Sequence, residues 1–200
     1  MLTLAAHVPL DSSITPVVAV LRSNYWLTIH VLTIVASYGA LALAVVLAHI
    51  EGVRFLAHPG EDRTRSPLEL LIYRTLQVGV VLLASGIMLG AVWANASWGR
   101  YWGWDPIETW ALITLLWYLA LLHGRFAGWI RGVEVALATI MGFFLLLMTY
   151  YGVSFYLVGL HSYAGGNAKP LPALLIGYLV AEVAFILIVG WAAASRRRSA

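Results

Sequence analysis

The sequence predicts an all-α protein: a polytopic transmembrane helix bundle of about five spans, with the N-terminus outside and the C-terminus inside. Three observations predict it. Of 200 residues, 62% are hydrophobic and 10% charged, whereas a soluble domain carries about 25% charged residues. Apolar stretches long enough to cross a bilayer as helix, about 20 residues each, recur along the chain. The arginines fall on alternate connections between them, so that one side of the membrane holds most of the positive charge.

The spans expected are 26–50, 70–94, 107–123, 133–157 and 173–194, with connections at 51–69, 95–106, 124–132 and 158–172. The third is the shortest and carries Thr and Trp, but lies between two clear boundaries. With the N-terminus outside, the inner side receives Arg54, Arg63, Arg65, Arg74, Arg125, Arg131, Arg196, Arg197 and Arg198, and the outer side only Arg22, Arg100 and Lys169. Residues 1–25 lack a basic start, and Asp11 interrupts their apolar run, which makes a poor signal peptide. They are expected to form an outer arm, either an interfacial helix or a weak sixth span. Residues 26–194 form one membrane domain and residues 195–200 a basic inner tail.

Cysteine is absent, which excludes disulfides, thiolate metal sites and self-attached haem of the C-x-x-C-H kind. No basic stripe interleaved with aromatics suggests nucleic-acid binding. Tryptophan is abundant, and six of the nine (Trp93, Trp98, Trp102, Trp104, Trp110, Trp117) are crowded together. A lone Trp commonly anchors a membrane interface; such a cluster asks for more.

The second connection reads Trp98-Gly99-Arg100-Tyr101-Trp102-Gly103-Trp104-Asp105-Pro106 and leads into Ile107-Glu108-Thr109-Trp110. Pro106 suits a first helical turn, with Asp105 as N-cap and Glu108 completing a capping box. Four aromatics within seven residues offer stacking faces, and Arg100 a fork for a carboxylate. A planar apolar ligand bearing carboxylates, such as haem, suits that surface. Haem iron takes axial ligands, most often His. On the expected topology His30 and His161 share the outer side with the Trp-rich loop. His49 and His123 lie at inner helix ends, His58 in an inner loop and His7 in the arm. His30 and His49, 19 residues apart, are separated by roughly 28 Å along a helix and cannot share one iron.

The Trp98–Trp110 run closely resembles the WWD signature of haem-handling membrane proteins. Within that superfamily the chain looks like the C-terminal core of the CcsA (ResC) family of system II cytochrome c biogenesis. Trp26-Leu27-Thr28-Ile29-His30-Val31, the Gly-x-x-x-Gly-Ala-Val-Trp run ending at Trp93, and Gly159-Leu160-His161-Ser162-Tyr163 carry the resemblance further. It implies that His30 and His161 ligate haem iron at the outer face, beside Trp98, Arg100, Trp102, Trp104 and Asp105, and that His123 serves haem passing from the inner side. It implies haem b as the transported substrate, a CcsB/ResB-type membrane protein and apocytochrome c as partners, and a bacterial plasma membrane or a thylakoid as location. The chain would then be at most the haem-presenting part of a holocytochrome c synthase (haem lyase). Ile107 stands where the family usually has Lys, and His49 matches no family position. CcmC-like delivery of haem to a chaperone, without attachment, is the first alternative. A scaffold or transporter is the second, for which Glu182, well inside the last span, is the relevant acid.

Overall fold

The computed structural model describes residues 24–58, 66–161 and 171–198. Most of the expected N-terminal arm, His7, Arg63, Arg65, Ser162, Tyr163, Lys169 and the last two residues lie outside these. Among the described residues there is no strand. Helices α1 (Asn24–Ala57), α2 (Pro67–Trp98), α3 (Pro106–Phe126), α4 (Val133–Leu147), a short α5 (Val153–Tyr156) and α6 (Ala173–Arg198) follow one another. Five helical segments are long and apolar enough to cross a membrane, α4 and α5 counting together as Val133–Tyr156.

The ends are set by local chemistry. Ser66 caps α2 by accepting from the N–H groups of Leu68 and Glu69 at 3.1 and 3.2 Å, and Pro67 needs no partner at the first position. Ser66 also donates to the buried Glu51 Oε2 at 3.2 Å, tying the end of α1 to the start of α2. α2 runs through Trp98, so this residue belongs to a helix and not to the loop; Gly99, at φ 73°, ends it. α4 gives way to a π-helical turn, Met148–Gly152, before α5. There Thr149 donates to the Leu145 carbonyl at 2.8 Å and meets Thr114 of α3 at 2.9 Å, so hydroxyls compete for the helix ladder at that point.

The core lies between α1, α2, α3 and α4, around Leu41, Ala44, Ala48, Ile72, Leu76, Leu83, Tyr118 and Ile140. Between lipid tails the hydrophobic effect does not drive helices together, so close packing and interhelical hydrogen bonds must. The α1–α2 seam shows both. A Cβ at Gly79 would come within 2.7 Å of the Leu41 side chain, and one at Gly86 within 2.5 Å of Ile34. Because those positions carry no side chain, their carbonyls are reachable from α1: Ser37 donates to Gly79 at 2.9 Å and His30 to Gly86 at 2.8 Å. Gly86→Val is therefore expected to push α1 off α2, costing about 1–3 kcal/mol as overpacking does; thermal unfolding in detergent reads the loss. On α3, Trp117 donates to the Ala138 carbonyl at 2.9 Å and Tyr118 to Thr139 at 3.3 Å. α6 stands apart, with only Glu182 and Val189 buried.

Candidate haem-binding cleft

His30 sits near the beginning of α1 and His161 just past the end of α5, residues 131 apart in sequence that the fold brings to one end of the bundle. Both line a cleft whose empty space, counting the part open to solvent, is about 550 Å³. Tyr38, Ile87, Gly90, Tyr101, Trp102, Ile107 and Glu108 contribute to its walls, which are mostly apolar.

Each imidazole is oriented by a bond at Nδ1. In His30 that atom donates to the Gly86 carbonyl at 2.8 Å. Since a carbonyl can only accept, the proton is on Nδ1 and the lone pair on Nε2. Gly90 leaves room for the ring, because a Cβ there would stand 2.7 Å from its Cε1. In His161, Nδ1 meets Asp105 Oδ1 at 2.9 Å, which likewise assigns the lone pair of the neutral ring to Nε2. Metal-binding histidines are commonly held in this way, one nitrogen on a carboxylate or carbonyl and the other turned to the metal.

Asp105 is more than a cap. Its Oδ1 accepts from the Ile107 N–H at 3.2 Å as well as from His161, and its Oδ2 accepts from the Leu160 N–H at 2.6 Å. One carboxylate thus begins α3 and holds the His161 segment against it. Gly159 permits the approach: a Cβ there would collide with Asp105 Oδ2 and lie 2.7 Å from Pro106 Cδ. Gly159→Ala is expected to separate Leu160 and His161 from Asp105, and the loss of cleft geometry would appear as weakened haem binding in a titration of the purified protein. Glu108 completes the capping box and organises the preceding loop, its Oε2 accepting from Gly103 at 2.7 Å and Asp105 at 3.1 Å, while Oε1 faces Arg100 at 3.6 Å.

Behind the histidines lies Trp93, 1% exposed. Its ring stacks nearly parallel on His30 at 6.4 Å, meets His161 at 6.0 Å, and takes Trp98 edge-on at 4.8 Å. Trp98 in turn packs on His161 at 5.0 Å and under the Arg100 guanidinium at 5.8 Å. Buried polar atoms gather here without a hydrogen-bond partner among the described residues: Trp93 Nε1, Trp98 Nε1 and Ser97 Oγ, while Arg100 Nη1 has only its 3.6 Å ion pair with Glu108. Such orphans are expensive in an apolar surround and mark a place where an oxygen-bearing ligand fits.

Of the residues singled out from the sequence, His30, His161 and Trp102 line the cleft. Asp105, Trp98 and Arg100 support it from behind. Trp104 lies outside it, 69% exposed, edge-on to Trp102 at 5.6 Å and held at φ 58°, a strained conformation for a bulky residue. His123 is at the opposite end of α3 from Asp105, 18 residues on and so about 27 Å away along the helix; it is exposed and donates Nδ1–H to the Leu119 carbonyl at 2.7 Å. Tyr101, one of the four aromatics expected to offer stacking faces, lines the cleft too, whereas Trp93, Tyr38 and Glu108 enter the site without having been assigned to it. For Trp93 the available signal was Gly86-x-x-x-Gly90, a close-packing motif whose face continues one turn towards the tryptophan. Among the described residues no group of three or more His, Asp or Glu side chains could hold a bare metal ion. Two imidazoles suffice for haem, whose porphyrin brings its own equatorial nitrogens.

A family model described as "Cytochrome C assembly protein" matches residues 1–161. The chain is similar to "Protein NrfI" of Wolinella succinogenes, 42% identical over an alignment of 174 residues, with 82% of this chain and 18% of that protein covered. It is similar to "Cytochrome c biogenesis protein CcsA" of Prochlorococcus marinus strain MIT 9312, 39% identical over an alignment of 182 residues, with 77% of this chain and 57% of that one covered. The CcsA protein of Parasynechococcus marenigrum is 41% identical over 181 residues, with 76% and 59% covered. The match therefore spans less than two thirds of the length of these relatives.

Proposed function

The chain belongs to the cytochrome c assembly family, and from that premise we propose that it holds haem between His30 and His161 and presents it at the outer membrane face for attachment to apocytochrome c. The observation that carries this reading is the pair of imidazoles on one cleft, each with Nδ1 committed to an acceptor and so with Nε2 as its basic nitrogen. The Trp and Tyr rings give a porphyrin its stacking faces, and the Arg100 guanidinium, beside Glu108, and the indole N–H groups of Trp93 and Trp98 suit its carboxylates.

In this role the protein supplies position. Attachment adds each client thiol across a haem vinyl group, so the S–H and the vinyl π bond are exchanged for C–S and C–H bonds. The chain has no cysteine and lends no thiol of its own. Its residues fix the plane and tilt of haem through His30, His161 and Trp93, leaving the exposed Trp104 and Tyr101 side towards a client. A CcsB/ResB-type membrane protein would be the partner, and haem b the substrate. His123, remote from the cleft, would serve haem on its way from the inner side.

Co-expression with a C-x-x-C-H apocytochrome and a CcsB-type protein tests the reading. Covalent haem on the client, seen by haem staining after denaturation and lost with His161→Ala, is the expected result. Haem bound to the chain but found only non-covalently on a partner would instead establish CcmC-like delivery. A folded protein that takes up no haem even with its partner would defeat both.

A further inference from the structure

Away from the cleft, two ionisable side chains meet inside the membrane-spanning part of the bundle. His49 Nε2 of α1 and Glu182 Oε2 of α6 lie 2.9 Å apart. Glu182 is 6% exposed and is placed about 14 Å from the start of α6 and about 24 Å from its end. Ionisable groups so placed are costly in hydrocarbon and generally mark function.

The proton count follows from the geometry. His49 Nδ1 lies 2.8 Å from the Val45 carbonyl, so it carries a proton. The bond between Nε2 and Oε2 then requires one further proton, seated on either atom. With the proton on Nε2 the pair is imidazolium and carboxylate; with it on Oε2, imidazole and carboxylic acid. The net charge is zero both ways. Tyr178 stands one turn before Glu182 on α6. The Phe185 ring covers His49 at 4.9 Å. Other charged groups on the surrounding helices are engaged elsewhere: Arg196 with Phe55, Arg197 with Glu134, Arg125 with Glu69, and Glu51 with Ser66.

We propose that His49 and Glu182 form a proton-binding site within the membrane, separate from the His30–His161 cleft, with the proton as its ligand. Internal transfer breaks the Glu182 O–H bond as the His49 Nε2–H bond forms, while Nδ1–H stays on the Val45 carbonyl. Release of the shared proton to water leaves one negative charge on the pair, and uptake of another leaves one positive charge. Either lone charge is disfavoured there, so the two groups titrate as a unit. α6, with little else buried, is docked on α1 partly through that proton.

The test uses the full chain in lipid bilayers, with ¹⁵N-labelled histidine and ¹³C-carboxyl-labelled glutamate, followed by solid-state NMR between about pH 5 and pH 9. The signals are assigned by their absence from His49→Gln and Glu182→Gln. The expected result is a common midpoint for the His49 ring and the Glu182 carboxyl group. Glu182→Gln removes the partner carboxyl group and should shift the His49 midpoint. His49→Gln, the reciprocal variant, should shift the Glu182 signal and serves if Glu182→Gln fails to insert. Independent titration of the two groups, or a His49 midpoint indifferent to Glu182→Gln, overturns the proposal. So does the absence of any titration in that window, which would make the pair a fixed clamp. The haem spectrum of the same samples should be unchanged, because His49 is roughly 28 Å along α1 from His30; the two readings therefore succeed or fail separately.

Discussion

Alanine in place of His161 is expected to abolish the bis-histidine haem spectrum of the detergent-purified protein, and alanine in place of His30 to do the same. Each variant removes one of the two imidazoles that line the cleft. Loss of a hydrogen-bond partner behind a metal ligand already costs about 10–100-fold in affinity, so loss of the ligand itself should cost more. Absorption spectra of the oxidised and reduced forms, followed by haem titration, read both the coordination and the affinity. His123→Ala is the control: on the far end of α3, exposed and bonded to Leu119, it should leave the cleft spectrum intact. A spectrum that survived both His30→Ala and His161→Ala would place the haem elsewhere and remove the basis of the functional reading.

The second large effect is expected at Asp105, and the contrast with Glu108 makes it specific. Asp105 accepts through both oxygens, from His161 and Ile107 at Oδ1 and from Leu160 at Oδ2, and its side chain also takes the Glu108 N–H in the capping box. Asparagine offers one carbonyl oxygen, so its amide NH₂ would face one of those donors. Asp105→Asn should therefore turn or release His161 and weaken haem binding by about 10–100-fold, as loss of an orienting partner does. Glu108 accepts from Gly103 and Asp105 through a single oxygen, Oε2. Glutamine can do the same and forfeits only the 3.6 Å ion pair with Arg100, an interaction of about 1 kcal/mol or less when partly exposed. Haem titrations of the two variants side by side separate orientation of His161 from mere loss of acidity: equal effects would deny Asp105 its positioning role.

Much of the architecture was legible in the sequence because lipid imposes a simple rule. Backbone polar groups must be satisfied within each segment, so long apolar runs become helices. All five spans occur as helices, with extended ends: α1 runs to Ala57 and α2 to Trp98. Apolar periodicity ends at the membrane boundary, whereas a helix continues until a cap stops it, as Gly99 does for α2. The start of α3 was readable to the residue, since Asp105, Pro106 and Glu108 form a contiguous capping box. The interruption of the fourth span at Met148–Gly152 was not, because Thr149 leaves the regular ladder in the company of Thr114, on another helix.

The candidate site divides along the same line. Residue chemistry and spacing in the chain determined the all-helical class and singled out His30, His161, the Trp-rich loop and Asp105. Only the tertiary structure decided that Trp93 touches both imidazoles, that the Gly86 carbonyl orients His30, that Asp105 orients His161 across 56 residues, and that Ile107 and Glu108 line the cleft. Only it paired His49 with Glu182, 133 residues apart. The physical reason is range. Hydropathy and capping are written within one or two helical turns, whereas a side chain's partner on another helix depends on how the helices rotate and approach, here through the bare faces of Gly79 and Gly86, and that is settled only when they pack.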